Sequence, residues 1–158
     1  MQRPIQIPGK GTNVLREGRF SGRNQIYHIT SATHERITLF SEFAVARMVI
    51  QSLKREDEAG HTATMAFVLM PDHLHWLVQL KGDRTLSTCV NSVKSFATRQ
   101  INAAYHRKGR LWQKGFYDRA IRREDDLVSV ARYIVANPLR KGLVRSVREY
   151  PHWDAIWF

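Results

Sequence analysis

Cysteine is nearly absent from this 158-residue sequence. The single Cys89 excludes an intramolecular disulfide framework and a cysteine-rich zinc site, and its place in an apolar helical pattern predicts a core residue. No run of about 18 apolar residues occurs, so no membrane span is expected. The N-terminus lacks the apolar stretch of a secretory signal. We therefore expect a protein of the reducing cytosol, associated with the nucleoid if its partner is DNA.

Acidic residues are scarce as well. The sequence has 14 Asp and Glu against 25 Lys and Arg, which gives a formal net charge of +11. A small domain this basic usually binds a polyanion, and nucleic acid is the first candidate. RNA stays open as a partner, and so does a basic surface that serves only solubility. The apolar fraction of 43% is ample for a core, and the length predicts one domain.

The first 24 residues differ from the remainder in composition. They are rich in Gly, Arg and Asn and show no hydrophobic period, which predicts a flexible basic arm. Residues 25–158 are then one domain, without repeats, low-complexity segments or a linker.

Strand propensity and alternation predict strands at 26–31, 64–70, 73–80 and 111–121. Pro71-Asp72 is a turn signal, so the second and third strands form a hairpin.

Apolar stripes predict three helices between these strands. The first begins at a Ser41 cap and stops near Gly60, the second carries a stripe over 86–104, and the third carries one over 127–135 before Asn137-Pro138. The order β-α-β-β-α-β-α predicts an α+β fold, in which helices cover an antiparallel sheet of ferredoxin-like or RNA-recognition-like type.

The sequence from Met70 to Val78, MPDHLHWLV, contains two histidines separated by one apolar residue. On a strand, His73 and His75 would point to the same side about 7 Å apart, and Leu74 would point into a core. Paired imidazoles on a rigid strand suit half of a divalent-metal site. The alternative is a pair of hydrogen-bonded histidines at a sheet edge.

Two histidine ligands leave coordination positions open, as a catalytic metal requires. Mg²⁺ can fill such positions with water and with phosphate oxygens of a substrate, and Mn²⁺ accepts imidazole more readily. The predicted cofactor is therefore Mg²⁺ or Mn²⁺, and the predicted substrate carries phosphate.

Tyr133 and Asn137 are four residues apart on the third helix and so share one face. The tyrosine hydroxyl is a candidate nucleophile whose weak reactivity a metal ion would offset. Asn137 could add a carbonyl oxygen to the metal. The alternative is an ordinary amphipathic tyrosine and a helix stop before Pro138.

Three segments in this order closely resemble the REP-associated tyrosine transposases, relatives of the insertion-sequence transposases in the HUH single-strand nuclease superfamily. They are Met70–Val78, Leu111–Ala120 (LWQKGFYDRA) and Arg132–Val144 (RYIVANPLRKGLV), and the similarity extends from about Tyr27 to Trp153. The resemblance implies that His73 and His75 are metal ligands and that Tyr133 is the nucleophile. Asn137 occupies the position where several relatives have a glutamine as the third ligand.

The resemblance also implies an activity: metal-dependent cleavage and rejoining of single-stranded DNA at palindromic hairpins through a 5′-phosphotyrosine. A hairpin-binding regulator without catalysis is the main alternative, and replication-initiator or relaxase chemistry is a third. The sequence leaves open whether the chain forms a homodimer and whether Tyr133 serves the histidines of its own chain.

A basic segment provides the predicted DNA-binding surface. Between Lys94 and Arg123 there are nine Lys and Arg and one acid, with Trp112, Phe116 and Tyr117 interleaved. Cations would contact phosphates and rings would stack on unpaired bases, while the N-terminal arm could enter a groove. Surface charge or core packing is the alternative for each member. The candidate residues are Lys94, Arg99, Arg110, Trp112, Lys114, Arg119, Arg122 and Arg123.

Overall fold

The computed structural model describes residues 22–158, so most of the predicted N-terminal arm, residues 1–21, lies outside the described residues. The elements in chain order are β1 (Ile26–Ala32), α1 (Phe43–Glu58), β2 (Thr62–Met70), β3 (His73–Leu80), α2 (Leu86–Tyr105), β4 (Tyr117–Ile121), α3 (Glu124–Val135), α4 (Asn137–Arg140) and β5 (Trp153–Ala155).

The five strands form one sheet in the order β4-β1-β3-β2-β5, and every pair of neighbours is antiparallel. The first four strands, with α1 and α2 as connections, give the order 4-1-3-2 of a ferredoxin-like βαββαβ unit. The predicted α+β class and antiparallel sheet are confirmed. β3 lies at the centre of the sheet.

The two faces of the sheet are covered by different helices. On one face, Leu74 and Trp76 of β3 pack with residues of α1 and α2, including Cys89. Burial first, and then the nearby Glu56 carboxylate, raise the pKa of the Cys89 thiol to about 11, so this thiol is an inert core group. On the other face, Leu77 belongs to a second cluster together with Ile134 of α3. The histidines of β3 alternate with Leu74 and Trp76 and therefore lie on the α3 side.

The turn between β2 and β3 is held by the chain segment that follows β1. Met70 pairs with His73 across the turn. The backbone N–H of Thr33 donates to the Asp72 carbonyl at 2.9 Å, and that of Phe40 donates to the Pro71 carbonyl at 3.0 Å. These bonds satisfy turn carbonyls that would otherwise lack partners and fix the strand end from which His73 projects.

Helix α1 begins later than predicted. Its N-cap is Glu42, whereas Ser41 ends a short 3₁₀ turn over Leu39–Ser41. The predicted serine cap is therefore wrong: the N–H of Ser41 donates to the Thr38 carbonyl within that preceding turn.

The fourth strand is shorter than predicted, and a fifth strand follows the last helices. β4 covers only Tyr117–Ile121, because Leu111 and Trp112 are buried in an irregular segment whose one β-bridge joins Trp112 to Thr33, the residue after β1. β5 has three residues and pairs with β2. Within residues 22–158, no helix combines the length and the apolar character needed to cross a membrane.

Candidate active site

His73 and His75 lie side by side on the central strand, facing α3. Their side chains are almost fully buried, and their ring centroids are 4.9 Å apart with the planes at 81°. The ring centroids are thus closer to each other than the spacing of about 7 Å between alternate residues along a strand. Because β3 is hydrogen-bonded on both sides, the two imidazoles stand on a rigid base.

The Nδ1 atom of His73 is hydrogen-bonded to its neighbour Asp72, with 2.7 Å to Oδ1. Arg36 Nε donates to the other oxygen of the same carboxylate at 3.0 Å. The hydrogen bond from His73 first, and then the nearby positive charges, lower the pKa of Asp72, against an opposing effect of burial. An ionised carboxylate only accepts hydrogen bonds, so Nδ1 of His73 donates to Asp72, and Nε2 is the ring nitrogen left to face a metal.

The Nδ1 atom of His75 is likewise engaged, by His28 on the adjacent strand β1. The distance to His28 Nε2 is 3.0 Å, and Thr30 Oγ1 lies 3.3 Å away. Burial, followed by the charge of Arg119, lowers the pKa of His28 to about 4. Burial, followed by cationic neighbours, holds the pKa of His75 well below its usual range. Both rings are therefore neutral at pH 7, and Nδ1 of His75 can donate to His28 while Nε2 stays available.

This arrangement fits a divalent cation with open coordination positions. Metal-binding histidines are neutral and commonly donate their other ring N–H to a carboxylate or a similar acceptor, as Asp72 and His28 allow here. Among residues 22–158, no group of three or more His, Cys, Asp or Glu side chains is placed to hold a metal. Further ligands would therefore come from Asn137, water or a substrate phosphate.

Tyr133 and Asn137 come from the helices on the same side of the sheet. Asn137 is buried, and its side-chain nitrogen donates to the carbonyls of Ile134 at 3.0 Å and Tyr133 at 3.4 Å. Pro138 has no N–H to continue the helical bonds at this point, so the Asn137 amide supplies the missing donor. Its carbonyl oxygen remains the group that a metal could take. The structural role and the predicted ligand role thus use different atoms of one side chain.

Arg140 lies next to Tyr133, and its charge also acts on one of the histidines. Its guanidinium carbon lies 3.8 Å from the centroid of the half-buried Tyr133 ring. The positive charge of Arg140 is also one of the groups that lower the pKa of His75. Arg140 therefore contacts the tyrosine and lies near enough to His75 for its charge to act on that imidazole.

A basic cleft of about 790 Å³ lies between α2 and residues 110–116. Lys94 in its wall donates to the carbonyls of Gln113 at 2.9 Å and Gly115 at 2.7 Å, and so fixes the loop. Because α2 packs on the other face of the sheet, the cleft and the histidines lie on opposite faces. The structure gathers five predicted DNA-binding residues here: Lys94, Arg99, Arg110, Trp112 and Lys114.

The remaining basic candidates lie elsewhere. Arg119 of β4 pairs with His28 and lies on the histidine face. Arg122 and Arg123 follow the end of β4 that pairs with Ile26, which is the end of the sheet away from His73.

The predicted stacking rings are mostly in the core. Trp112 and Phe116 are each 4% exposed and belong to the cluster beneath α1 and α2, with Trp112 packed against Phe40 at 5.2 Å between centroids. The core-packing alternative therefore describes both rings, although each also borders the cleft. Tyr117 is half-buried on β4.

Sequence reasoning missed the residues that support the site. Asp72 had a usable signal, since a carboxylate directly before a predicted ligand histidine is a common second contact. His28 and Thr30 gave none, because only the pairing of β1 with β3 brings them to His75. Arg36 and Arg140 are ordinary surface arginines in the sequence.

The fold and the site together define a class: a ferredoxin-like α+β domain with paired histidines on its central strand and a tyrosine on a helix across the same face. A sequence model of the family described as IS200-like transposases matches residues 21–137. The match covers most of the chain, so the protein belongs to this family.

Two curated relatives agree with the resemblance found in the sequence. A Haemophilus influenzae protein, provisionally named as a REP-associated tyrosine transposase, is 31% identical over 99 residues, which is 56% of each chain. The REP-associated tyrosine transposase of Escherichia coli is 29% identical over 114 residues, 72% of this chain and 64% of that protein. The chain thus matches less than two thirds of either relative.

Two solved structures share the fold. The structure of a REP-associated tyrosine transposase bound to a REP hairpin has a TM-score of 0.73 and 23% identity, covering 85% of this chain and 79% of that one. A Deinococcus radiodurans protein, provisionally described as a transposase, has a TM-score of 0.54 and 22% identity, covering 74% of this chain and 93% of that one.

Proposed function

We propose that this protein cleaves and rejoins single-stranded DNA at palindromic hairpins, in a metal-dependent reaction with Tyr133 as the nucleophile. One observation carries the proposal: two buried imidazoles, each with Nδ1 engaged in a hydrogen bond, lie on the sheet face that the Tyr133 helix covers. Phosphoryl transfer by a tyrosine requires a phenol as the nucleophile and a metal ion that polarises the phosphate, and the two histidines are candidate ligands for that ion.

The residues of the chain divide the work. His73, His75 and the Asn137 carbonyl would hold Mg²⁺ or Mn²⁺. When bound, the ion withdraws negative charge from the phosphate oxygens. The Tyr133 oxygen forms a bond to phosphorus and loses its proton to solvent. The bond from phosphorus to O3′ breaks, and the leaving oxygen takes up a proton to give a 3′-OH and a 5′-phosphotyrosine. Attack by a 3′-OH on that linkage reverses the step and rejoins a strand.

Hairpin DNA is supported as the substrate by a relative and by charge. The solved REP-associated tyrosine transposase with the same fold is bound to a REP hairpin. In this chain, Arg99, Arg110 and Lys114 line a cleft of about 790 Å³, and a positively charged groove is typical of proteins that bind single strands. We assign phosphate contacts to these three side chains, whereas Lys94 mainly holds the loop.

Trapping the covalent intermediate tests the proposal directly. The protein is incubated with labelled hairpin oligonucleotides of varied stem and single-stranded flank in the presence of Mn²⁺, and any adduct is digested and mapped by mass spectrometry. We expect a nucleotide on Tyr133. An adduct on another residue would overturn the nucleophile assignment. Hairpin binding without nicking across several metals would favour the non-catalytic regulator.

Removing the Asp72 carboxylate should weaken metal binding. Asp72→Ala removes the acceptor that orients His73, and second contacts of this kind are worth about 10–100-fold in metal affinity. The Mn²⁺ concentration for half-maximal cleavage should rise by that factor, and less in Asp72→Asn, which keeps an acceptor. An unchanged Mn²⁺ dependence in Asp72→Ala would contradict this role.

Neutralising the cleft should weaken hairpin binding and its salt dependence. In Arg110→Gln/Lys114→Gln, the slope of log affinity against log salt should fall by about 2, since each lost phosphate contact reduces it by roughly 1. The matched control is Arg47→Gln/Lys54→Gln, two exposed cations of α1 beside β5, at the other edge of the sheet. Equal slopes for the two double variants would refute the cleft as the binding surface.

A further inference from the structure

The Arg140 side chain lies over the ring of the proposed nucleophile. Its guanidinium carbon lies 3.8 Å from the centroid of the Tyr133 ring. Among the side chains that the structure describes, no carboxylate lies within 4 Å of this guanidinium, whereas the Arg36 guanidinium is engaged with Asp72. An arginine that lies over a ring face keeps N–H donors for an anion.

The backbone places Arg140 on the same stripe as the candidate site residues. Although α3 ends at Val135, the N–H of Arg140 donates to the Ala136 carbonyl at 3.0 Å, so the helical path continues past the break. Tyr133, Asn137 and Arg140 thus stand at i, i+4 and i+7, which is one helical face. The phenol, the amide and the guanidinium therefore lie along one face of this helical path, and α3 itself packs on the side of the sheet that carries the histidines.

We propose that Arg140 is a catalytic residue that binds the scissile phosphate and holds the Tyr133 ring beside it. This inference rests on the proposed strand cleavage. A guanidinium binds two phosphate oxygens at once and stabilises the charge that grows on them during attack. Its stacking on Tyr133 keeps the phenol next to the same phosphate, so one side chain orients both reactants.

The first test separates catalysis from DNA binding. In Arg140→Gln, single-turnover cleavage at saturating DNA should fall by about 10²–10³-fold, the usual cost of one donor to the transition state. Arg140→Lys keeps the positive charge but loses the planar guanidinium, so this variant should cleave at a rate between those of the wild type and Arg140→Gln. Lys141→Gln removes the adjacent exposed charge and serves as the control. Hairpin affinity in Arg140→Gln should fall no further than in Lys141→Gln.

The second test uses the DNA. A methylphosphonate at the mapped cleavage site removes the negative charge that Arg140 is proposed to bind. The ratio of wild-type to Arg140→Gln cleavage rates should then shrink toward one, whereas a methylphosphonate one linkage away should leave the ratio unchanged. A purely structural defect in Arg140→Gln would slow both substrates equally and would overturn the inference.

The failures can be told apart. Cleavage by Arg140→Gln at the wild-type rate, with Tyr133→Phe inactive, would refute the role of Arg140 and leave the proposed function standing. Cleavage by Tyr133→Phe would refute the proposed function itself.

Discussion

Tyr133→Phe should abolish the proposed covalent DNA adduct and lower strand cleavage by about 10⁴-fold or more, the scale seen when a nucleophile is deleted. The change deletes one oxygen, without which no bond to phosphorus can form. The Tyr133 hydroxyl makes no hydrogen bond to any side chain or backbone group that the structure describes, so its loss should change the free energy of unfolding by no more than about 0.5 kcal/mol. Gel analysis of labelled oligonucleotides measures cleavage, and thermal melting checks the fold.

Tyr105→Phe is the matched control, because Tyr105 ends α2 and is 45% exposed. It should cleave at the wild-type rate and keep the adduct. Hairpin affinity should be unchanged in both variants, since the proposed phosphate contacts lie in the cleft. Full cleavage by Tyr133→Phe would remove the central assignment.

His75→Asn should lower cleavage by about 10²–10³-fold at a fixed Mn²⁺ concentration, a cost comparable to one lost electrostatic contact in the transition state. His73→Asn should act in the same direction, and a chelator should stop the wild-type reaction. Asparagine keeps a polar group beside His28, which limits the cost of leaving a buried nitrogen without a partner.

Metal binding can be measured without DNA. A cation that binds only the folded protein raises the melting temperature with its concentration, so Mn²⁺ should stabilise the wild type and not His73→Asn/His75→Asn. His61→Gln is the control, because His61 precedes β2 at the end of the sheet opposite His73. This variant should have the melting temperature, the response to Mn²⁺ and the cleavage rate of the wild type. Equal stabilisation of all forms by Mn²⁺ would argue against the histidine pair.

The histidine pair could be predicted because strand geometry is local. Two residues on either side of Leu74 must share a face, whatever the strand pairs with. The hairpin was equally accessible, since Pro71-Asp72 between two apolar runs leaves few alternatives. The sequence could not show His28 beside His75, because that contact depends on pairing between strands 47 residues apart along the chain.

The errors have similar causes. Leu111 and Trp112 read as strand because they are apolar, but they are buried beneath α2 without a ladder partner beyond one bridge. β5 is too short to give a period, and it follows Pro151. Pro138 suggested the end of a helix, so the sequence did not predict the short helix α4 that follows and that places Arg140 over the Tyr133 ring. In each case, tertiary packing decided what local pattern left open.

The placement of the basic cleft and the histidines on opposite faces, near the same end of the sheet, constrains the path of a substrate. Gln113 of the cleft donates to the Ala32 carbonyl, and Ala32 pairs with His73. Nucleic acid held at both places would have to turn sharply around this rim. Double-stranded DNA is far too stiff for such a bend, so the stem of a hairpin would end at the rim and only its flexible flank would pass to the other side.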